Sequence, residues 1–525
     1  ETVGILPPLE AIPVIFVPGI MGSNLKARVN ILDRWKKIVV KKDAAVWRVD
    51  GHASFGWEWS GRSAEERQLR LQHQRLEVDF GGEIDGKDGL TRVARLDLKV
   101  AREQRRWGTV SAAFYGEFLD NLERLLNQIA RNGDQTPNPV FSEWINGWAQ
   151  VPQAIKAEHN LQPLSEAELK NLLMVRNPVY AFGYNWLQSN ATSGDELVKF
   201  IDEVIAENNQ GCMTCKKVML LTHSMGGLVA RHAVTVGGAE GSVAGVFHNV
   251  MPTDGAAAAY QRMLTGVDGT IMGRVLGRNG QEVTASMIMS PAGLQLLPNA
   301  LYNSKGGKAK PWLHIQDSDS TVRALPKSDP YAEIYLNAER WWRLANQGWM
   351  DPANVYPSES AQWDAFVKEV SRARDFHTKV QRGGDFHPNT HGIYGSGIDT
   401  YETVTWQLST DGWRARHIDV DTKTDDRLKR ADSDSGKSIK LVNESSQPVT
   451  KVKAAMAEAN ARGDGTVPTV ASAARLDAGI KAGNVRAVLG SSDFEHGEAF
   501  EYKANSLHIT AVLHAVCKIV NEARG

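Results

Sequence analysis

Cysteine is scarce: Cys212, Cys215 and Cys517 are the three in 525 residues. An odd, low count argues against a disulfide framework. Cys212-Met213-Thr214-Cys215 has redox-pair spacing without a thioredoxin-like context, so it reads as a surface-loop pair. A single pair cannot by itself make a four-ligand zinc site. Charge of one sign is also missing. The net charge is -1, which leaves no global field to gather nucleic acid. No run reaches the roughly 18 apolar residues of a membrane span. The start, Glu1-Thr2-Val3-Gly4-Ile5, lacks the basic and apolar regions of a signal peptide. No internal repeat is evident. What remains is the profile of a globular protein, 42% hydrophobic and 23% charged. Its length permits two to four domains, or one large α/β domain with insertions. Tryptophan is plentiful, at fifteen residues. Indole suits the boundary between water and lipid headgroups, although most of these side chains are expected in the core.

The chain is organised around residues 218–231. The apolar run Val218-Met219-Leu220-Leu221 ends at Thr222-His223-Ser224-Met225-Gly226-Gly227, and a helical pattern from Leu228 to Val236 follows at once. A buried strand turning sharply into a helix exposes the turn residue and points the helix N-terminus at it. Gly226 and Gly227 permit the tight turn. Thr222 stands where G-x-S-x-G has its first glycine. The alternative is an ordinary strand, loop and helix, but the flanking elements favour Ser224 as a nucleophile on an elbow.

Upstream, Ile12 to Val17 reads as a buried strand running into Pro18-Gly19-Ile20-Met21-Gly22-Ser23, the place where an α/β-hydrolase sets one oxyanion amide. Val179 to Phe182, a helix over Glu196 to Asn208 with Ser193 as its cap, and the strand at Val218 form a βαβ unit, which implies parallel pairing. A further strand runs from Gly245 to Met251. Downstream, Gly463-Asp464-Gly465-Thr466-Val467-Pro468 is a sharp turn, and the strand Val485 to Leu489 leads to Glu495-His496-Gly497. The expected fold is therefore an α/β-hydrolase with a mostly parallel, doubly wound sheet and large cap or lid insertions. The core is assigned to 1–25, 176–256 and 451–525. Residues 26–175 are an insertion carrying a helix at 111–131, and 257–450 are a lid or cap insertion.

Within that cap, the Met-bearing, Gly-interrupted set Met263, Leu264, Ile271, Met272, Val275 and Leu276 suits a cover over a greasy substrate, or a plain helical subdomain. Tyr331 to Gln347 and Ala361 to Lys379 read as helices, Thr403 to Val420 as two short strands, and Asp425 to Gln447 as a polar linker. His377, His387 and His391 cluster in sequence with Asp375 and Asp385. The Pro and Gly residues between them favour a loop over a metal site, so neither a metal nor a cofactor is expected.

The order Ser224, Asp464, His496 is that of an α/β-hydrolase triad. Ser224 would attack an acyl carbon, His496 would act as the base and Asp464 would orient it. Amides of Met225 and of Met21 or Ile20 would receive the oxyanion. Asp254 is an alternative acid and His508 an alternative base, though His508 falls within a helical period. His223 is given no proton-transfer role.

The motifs at Val17 to Ser23, Tyr184-Asn185-Trp186, Thr222 to Gly227, Pro291 to Pro298 and Gly463 to Pro468 together resemble lecithin:cholesterol acyltransferase-like and GPI-inositol-deacylase-like lipases, with Asn185 standing where that group often has Asp. The overall appearance is also similar to antibacterial phospholipase effectors of type VI secretion. The resemblance implies a secreted serine lipase or phospholipase acting on (phospho)lipid acyl esters, in transient contact with a membrane surface. It also implies a cognate immunity protein or secretion adaptor as partner. An acyltransferase of the same fold, a non-catalytic lipid-binding relative and another hydrolase such as a peptidase are the alternatives.

Overall fold

The computed structural model describes residues 9–84, 99–127, 130–131, 136–137, 164–267, 275–304, 310–316, 322–382, 386–410, 428–430, 437–443, 450–492, 494–501 and 507–524. Its centre is a six-stranded sheet of β1 (Val14–Val17), β2 (Val179–Ala181), β3 (Val218–His223), β4 (Val243–Asn249), β5 (Thr390–Gly395) and β6 (Val485–Ser491), in the spatial order β2-β1-β3-β4-β5-β6. Every pairing in it is parallel. β1, β3 and β4 are buried along their whole length. Near-continuous apolar strands are what a parallel sheet covered on both faces requires.

The alternation of side chains divides the core in two. Ile15, Val17 and Leu220 point into one cluster, Val14, Phe16, Met219 and Leu221 into the other. The first is covered by the helix Asn190–Glu207, through Leu197, Phe200, Ile201 and Val204, and by Gly226–Thr235. The second is covered by Ala112–Asn127 and the closing helix Leu507–Arg524. There Phe118 packs its ring 5.7 Å from Phe16 and 4.5 Å from Phe500. Burial of a side chain of that size contributes about 1.5–3 kcal/mol. This is the doubly wound α/β-hydrolase architecture that the motif order implies. From β1 the chain goes outward to β2 and returns to β3 on the other side of β1. The loops after β1 and β3 therefore diverge at the carboxyl ends of adjacent strands, where an open α/β sheet forms its crevice.

A second six-stranded sheet, built mainly of antiparallel pairs, lies between β4 and β6 in the chain. It runs Val322–Leu325, Leu313–Gln316, Val404–Thr410, Thr450–Met456, Ser438–Asn443, Leu428–Arg430. It is tied to the first half by aromatic packing. Trp312 lies 5.3 Å from Tyr260, and Tyr260 donates its hydroxyl to the Trp342 carbonyl.

Several expectations are corrected. β5 lies inside the stretch 257–450 assigned to the cap, yet it pairs with β4 and β6 in the central sheet. Its polar start, Thr390 and His391, had masked a strand that is buried along nearly its whole length. The expected linker contributes Leu428–Arg430 and Ser438–Asn443, because Ile439 and Leu441 alternate into a buried face and the backbone is satisfied by Thr450–Met456. Its residues 425–427, like 411–420 of the second expected strand, lie outside the described residues. Tyr331 to Gln347 makes a single wide turn at Tyr331–Tyr335 in place of a helix. Asn337 accepts from the amides of Glu339 and Arg340, and so competes with the helical ladder. The 111–131 helix is described as Ala112–Asn127, and Ala130–Arg131 pairs with Thr136–Pro137. The 196–208 helix begins earlier, at Asn190, capped by Ser189. Ile271 and Met272 lie outside the described residues. Among the described residues, no helix is long and apolar enough to cross a membrane.

Candidate active site

β3 ends at His223, and Ser224 stands alone between strand and helix with φ of +50°. A non-glycine residue holds that conformation only where its surroundings over-determine it. Three contacts do so. The Ser224 amide donates to the Asn249 carbonyl at the end of β4, at 2.9 Å. A Cβ on Gly226 would sit 2.4 Å from the Val17 carbonyl oxygen, so the helix approaches β1 as closely as only glycine permits. A Cβ on Gly227 would meet Met251 at 2.6 Å. Thr222 needs no such freedom. It is buried at the strand end, with Oγ1 2.9 Å from Nδ1 of His248.

The hydroxyl of Ser224 lies 2.7 Å from Nε2 of His496, and Nδ1 of His496 lies 2.7 Å from Oδ2 of Asp464. The carboxylate is fully buried and oriented by its own turn. Oδ1 accepts from the amides of Thr466 at 2.9 Å and Val467 at 2.7 Å. Gly465 carries the φ of +85° that closes the turn. The His496 amide donates to the Asp464 carbonyl at 2.9 Å, which joins the two loops a second time. Ser224, Asp464 and His496, singled out by their order in the chain, thus meet in one hydrogen-bonded line.

Beside Ser224 the loop after β1 turns tightly. The Gly22 amide donates to the Gly19 carbonyl at 3.1 Å, and Met21 has φ of +64°. The Met21 carbonyl is pinned by the indole of Trp47 at 2.9 Å. A Cβ on Gly19 would lie 3.1 Å from Cβ of Ser224, so this loop touches the elbow. Gly19, the neighbour of Ile20 in the chain, is the residue of this loop that lies against the serine. Met225 opens the elbow helix, whose first amides have no partner within the helix.

Other candidates fall elsewhere. Asp254 is buried and accepts from Arg475 at 3.0 Å and Asn299 at 3.1 Å, a structural pairing. His508 is packed 5.0 Å from Phe494, with Nε2 3.1 Å from the Glu501 carbonyl. Asn185 bridges the carbonyls of His73 and Leu76. His377 lies between the Tyr331 hydroxyl and the Gln295 carbonyl, while His387 is next to the Val243 carbonyl and receives the Asn389 amide. His391 is inside β5, and Asp385 lies outside the described residues. Among the described residues, no three His, Cys, Asp or Glu side chains are grouped to hold a metal ion. Cys212 is an exposed free thiol and Cys215 a buried one.

Three residues at the site, Arg262, Gly395 and Tyr115, carried no sequence signal, and a fourth, His223, has a partner that its place in the elbow motif did not reveal. Arg262 donates to the Thr466 hydroxyl at 2.8 Å, which puts a guanidinium beside the acid turn; burial lowers its pKa and the charge of Asp464 opposes that. Gly395 ends β5 where a Cβ would lie 2.4 Å from Cβ of Asp464. Tyr115 and His223 form the third feature. The Tyr115 hydroxyl is 2.7 Å from Nδ1 of His223, and Nε2 of His223 is 3.0 Å from the His496 carbonyl. Burial, with His496 nearby, pulls the pKa of His223 down to about 3, so it is neutral at pH 7.

Comparison with known proteins finds relatives of the fold. The family model of the PGAP1-like alpha/beta domain matches residues 179–280, the stretch from β2 through the elbow and β4. A chain in "The crystal structure of Tle4-Tli4 complex" is 27% identical over 97% of this chain and 99% of its own, with a TM-score of 0.72. "Phospholipase PlaB from Legionella pneumophila" aligns over 59% of this chain and 77% of its own at 11% identity, with a TM-score of 0.15, too low to support a shared fold. No curated protein sequence matches.

Proposed function

We propose that the protein is a serine lipase or phospholipase that hydrolyses acyl esters of (phospho)lipids through Ser224, His496 and Asp464. The observation that carries this reading is the line Ser224 Oγ, His496 Nε2, Asp464 Oδ2, with both contacts at 2.7 Å. In it His496 takes the proton of Ser224 as Oγ attacks the acyl carbon. Asp464 holds Nδ1–H and stabilises the imidazolium. The negative oxygen of the tetrahedral intermediate accepts amides of Met225 and of Met21 or Ile20. Collapse of the intermediate passes the proton to the leaving alcohol and leaves an acyl ester on Ser224. Water then repeats the steps and releases the fatty acid.

A lipid acyl chain suits the partly buried apolar side chains Ile20 and Met21 on one side of the elbow, and Ala259, Met289 and Leu296 in the segment after β4. We assign the region between β4 and β5 to substrate selection. The similarity to a chain solved as a Tle4-Tli4 complex supports a further part of the reading, a secreted antibacterial effector of type VI secretion held in check by a dedicated partner protein.

The test is fatty-acid release from mixed bacterial phospholipids by the wild type and by Ser224→Ala. The proposal expects loss of turnover by about 10⁴-fold or more, with unchanged melting. Phospholipid hydrolysis by Ser224→Ala at the wild-type rate would refute it.

A further inference from the structure

Between the oxyanion loop and Trp47, the chain makes a short hairpin, Ile31–Leu32 against Ile38–Val40. Its inward partners are Ile31 and Val40, both buried. Its outward partners should by the usual alternation be polar, but they are Leu32 and Ile38, 38% and 54% exposed. Trp35 at the tip is 61% exposed and Val29 at the entrance 43%. These four supply four of the ten large exposed apolar side chains among the described residues. Such a concentration of exposed apolar side chains marks an interaction surface.

The tip is shaped rather than loose. Asp33 Oδ1 accepts from the amides of Trp35 at 2.9 Å and Lys37 at 2.8 Å, and Lys36 adopts φ of +62°. The one carboxylate of the tip is thereby spent on the turn. Arg34, Lys36 and Lys37 at the tip and Lys41 and Lys42 at the base of the hairpin are all exposed and without an ion pair among the described residues. The Arg34 guanidinium lies 4.0 Å over the Trp35 ring. The chain as a whole has a net charge of -1, so this positive field belongs to the hairpin.

An indole, aliphatic side chains and basic side chains at both ends of one hairpin together fit one kind of partner. Aromatic rings settle at the headgroup level, aliphatic side chains enter the acyl boundary, and lysines extend their stems along the surface to reach phosphates. We propose that residues 29–42 are the surface by which the protein docks on an anionic phospholipid bilayer. The inference rests on the lipid-ester reading of the Ser224 site and deepens it. The hairpin grows from the strand that follows the Ile20–Met21 loop, and Trp47, just beyond it, holds the Met21 carbonyl. Docking would bring that loop and Ser224 to the lipid.

The test uses the full chain carrying Ser224→Ala, sedimented with vesicles of phosphatidylethanolamine and phosphatidylglycerol, or of phosphatidylcholine alone. Binding is expected to the anionic vesicles and to weaken with added salt. Lys36→Glu with Lys37→Glu, and separately Trp35→Ala, should weaken it by about tenfold or more, given about fivefold per basic residue near an anionic surface. The same hairpin changes in the Ser224 enzyme should leave melting and the hydrolysis of a water-soluble short-chain ester unchanged. Equal binding by parent and hairpin variants, or no binding to anionic vesicles, overturns the inference. So does a result in which the hairpin variants lose a co-purifying protein while vesicle binding persists, since the hairpin is then a protein interface. If the wild type turns over no ester yet binds vesicles through the hairpin, docking stands and the catalytic reading fails.

Discussion

The hydroxyl of Tyr115 lies 2.7 Å from Nδ1 of His223. The other ring nitrogen faces the His496 carbonyl, which can only accept, so Nε2 carries the proton and Nδ1 receives the Tyr115 O–H. The Gly19 amide approaches the same phenol at 3.4 Å. One buried strut thus links the loop after β1, the residue before Ser224 and the loop that carries His496. On the proposed mechanism it would position His496.

Tyr115→Phe tests the strut. It strands the acceptor at Nδ1 of a buried imidazole, at a cost of about 1–3 kcal/mol. Displacing the His496 loop should lower kcat for a soluble ester by about tenfold, with KM nearly unchanged. The double change with His223→Gln should show coupling of about 0.5–3 kcal/mol. Additive single effects would mean that the two residues pack independently.

Gly395→Ala should be far more damaging than its size suggests. The new methyl would fall 2.4 Å from Cβ of Asp464, whereas at Gly61 it would meet nothing within 4 Å. Turnover by Gly395→Ala is expected to fall by about 100-fold, the order associated with small misplacements of catalytic groups. Gly61→Ala should retain activity, and the two kcat values side by side decide the point.

Stability should decline on the acid side of neutrality. Burial pulls His223, His248 and His391 down to about 3 and His377 to about 4. The folded chain keeps them neutral, while the unfolded chain protonates them near pH 6.5. Between those limits the unfolded state binds more protons, so stability rises with pH there and levels off, for these groups, above about 6.5. Each contributes a slope of up to about 1.4 kcal/mol per pH unit. Urea unfolding at pH 7.5, 6 and 5 measures it, and His248→Gln should remove about one proton from the slope. An unchanged midpoint from pH 7.5 to 5 would contradict the assignment.

Thr222 explains why an imperfect motif was still readable. The glycines that the turn requires are the later two, where Gly226 meets β1 and Gly227 meets Met251. The first position is an ordinary strand end, where Thr222 bonds His248. Thr222→Val should cost about 1–3 kcal/mol in unfolding free energy by stranding that histidine, with ester turnover near wild type. The strands β1, β3 and β4 were legible because each carries an apolar run, Val14 to Val17, Val218 to Leu221 and Val243 to Phe247. The residues Ser224, Asp464 and His496 were legible because each follows a sheet strand or a sharp glycine turn. β5 was not, since Thr390 and His391 are polar yet buried, and pairing on both sides decides its state. Tyr115, Gly395 and Arg262 were invisible for a different reason. Their importance lies in contacts with residues distant in the chain, and no local spacing encodes those contacts.

The central claim is that Ser224 is a nucleophile activated by His496. Reaction with an alkyl fluorophosphonate, followed by intact-mass and peptide mapping, tests it without any assumption about the lipid. One phosphonyl group on the peptide containing Ser224 is expected, absent in Ser224→Ala and strongly slowed in His496→Ala. No adduct, an adduct on another residue, or equal labelling of His496→Ala would contradict the account.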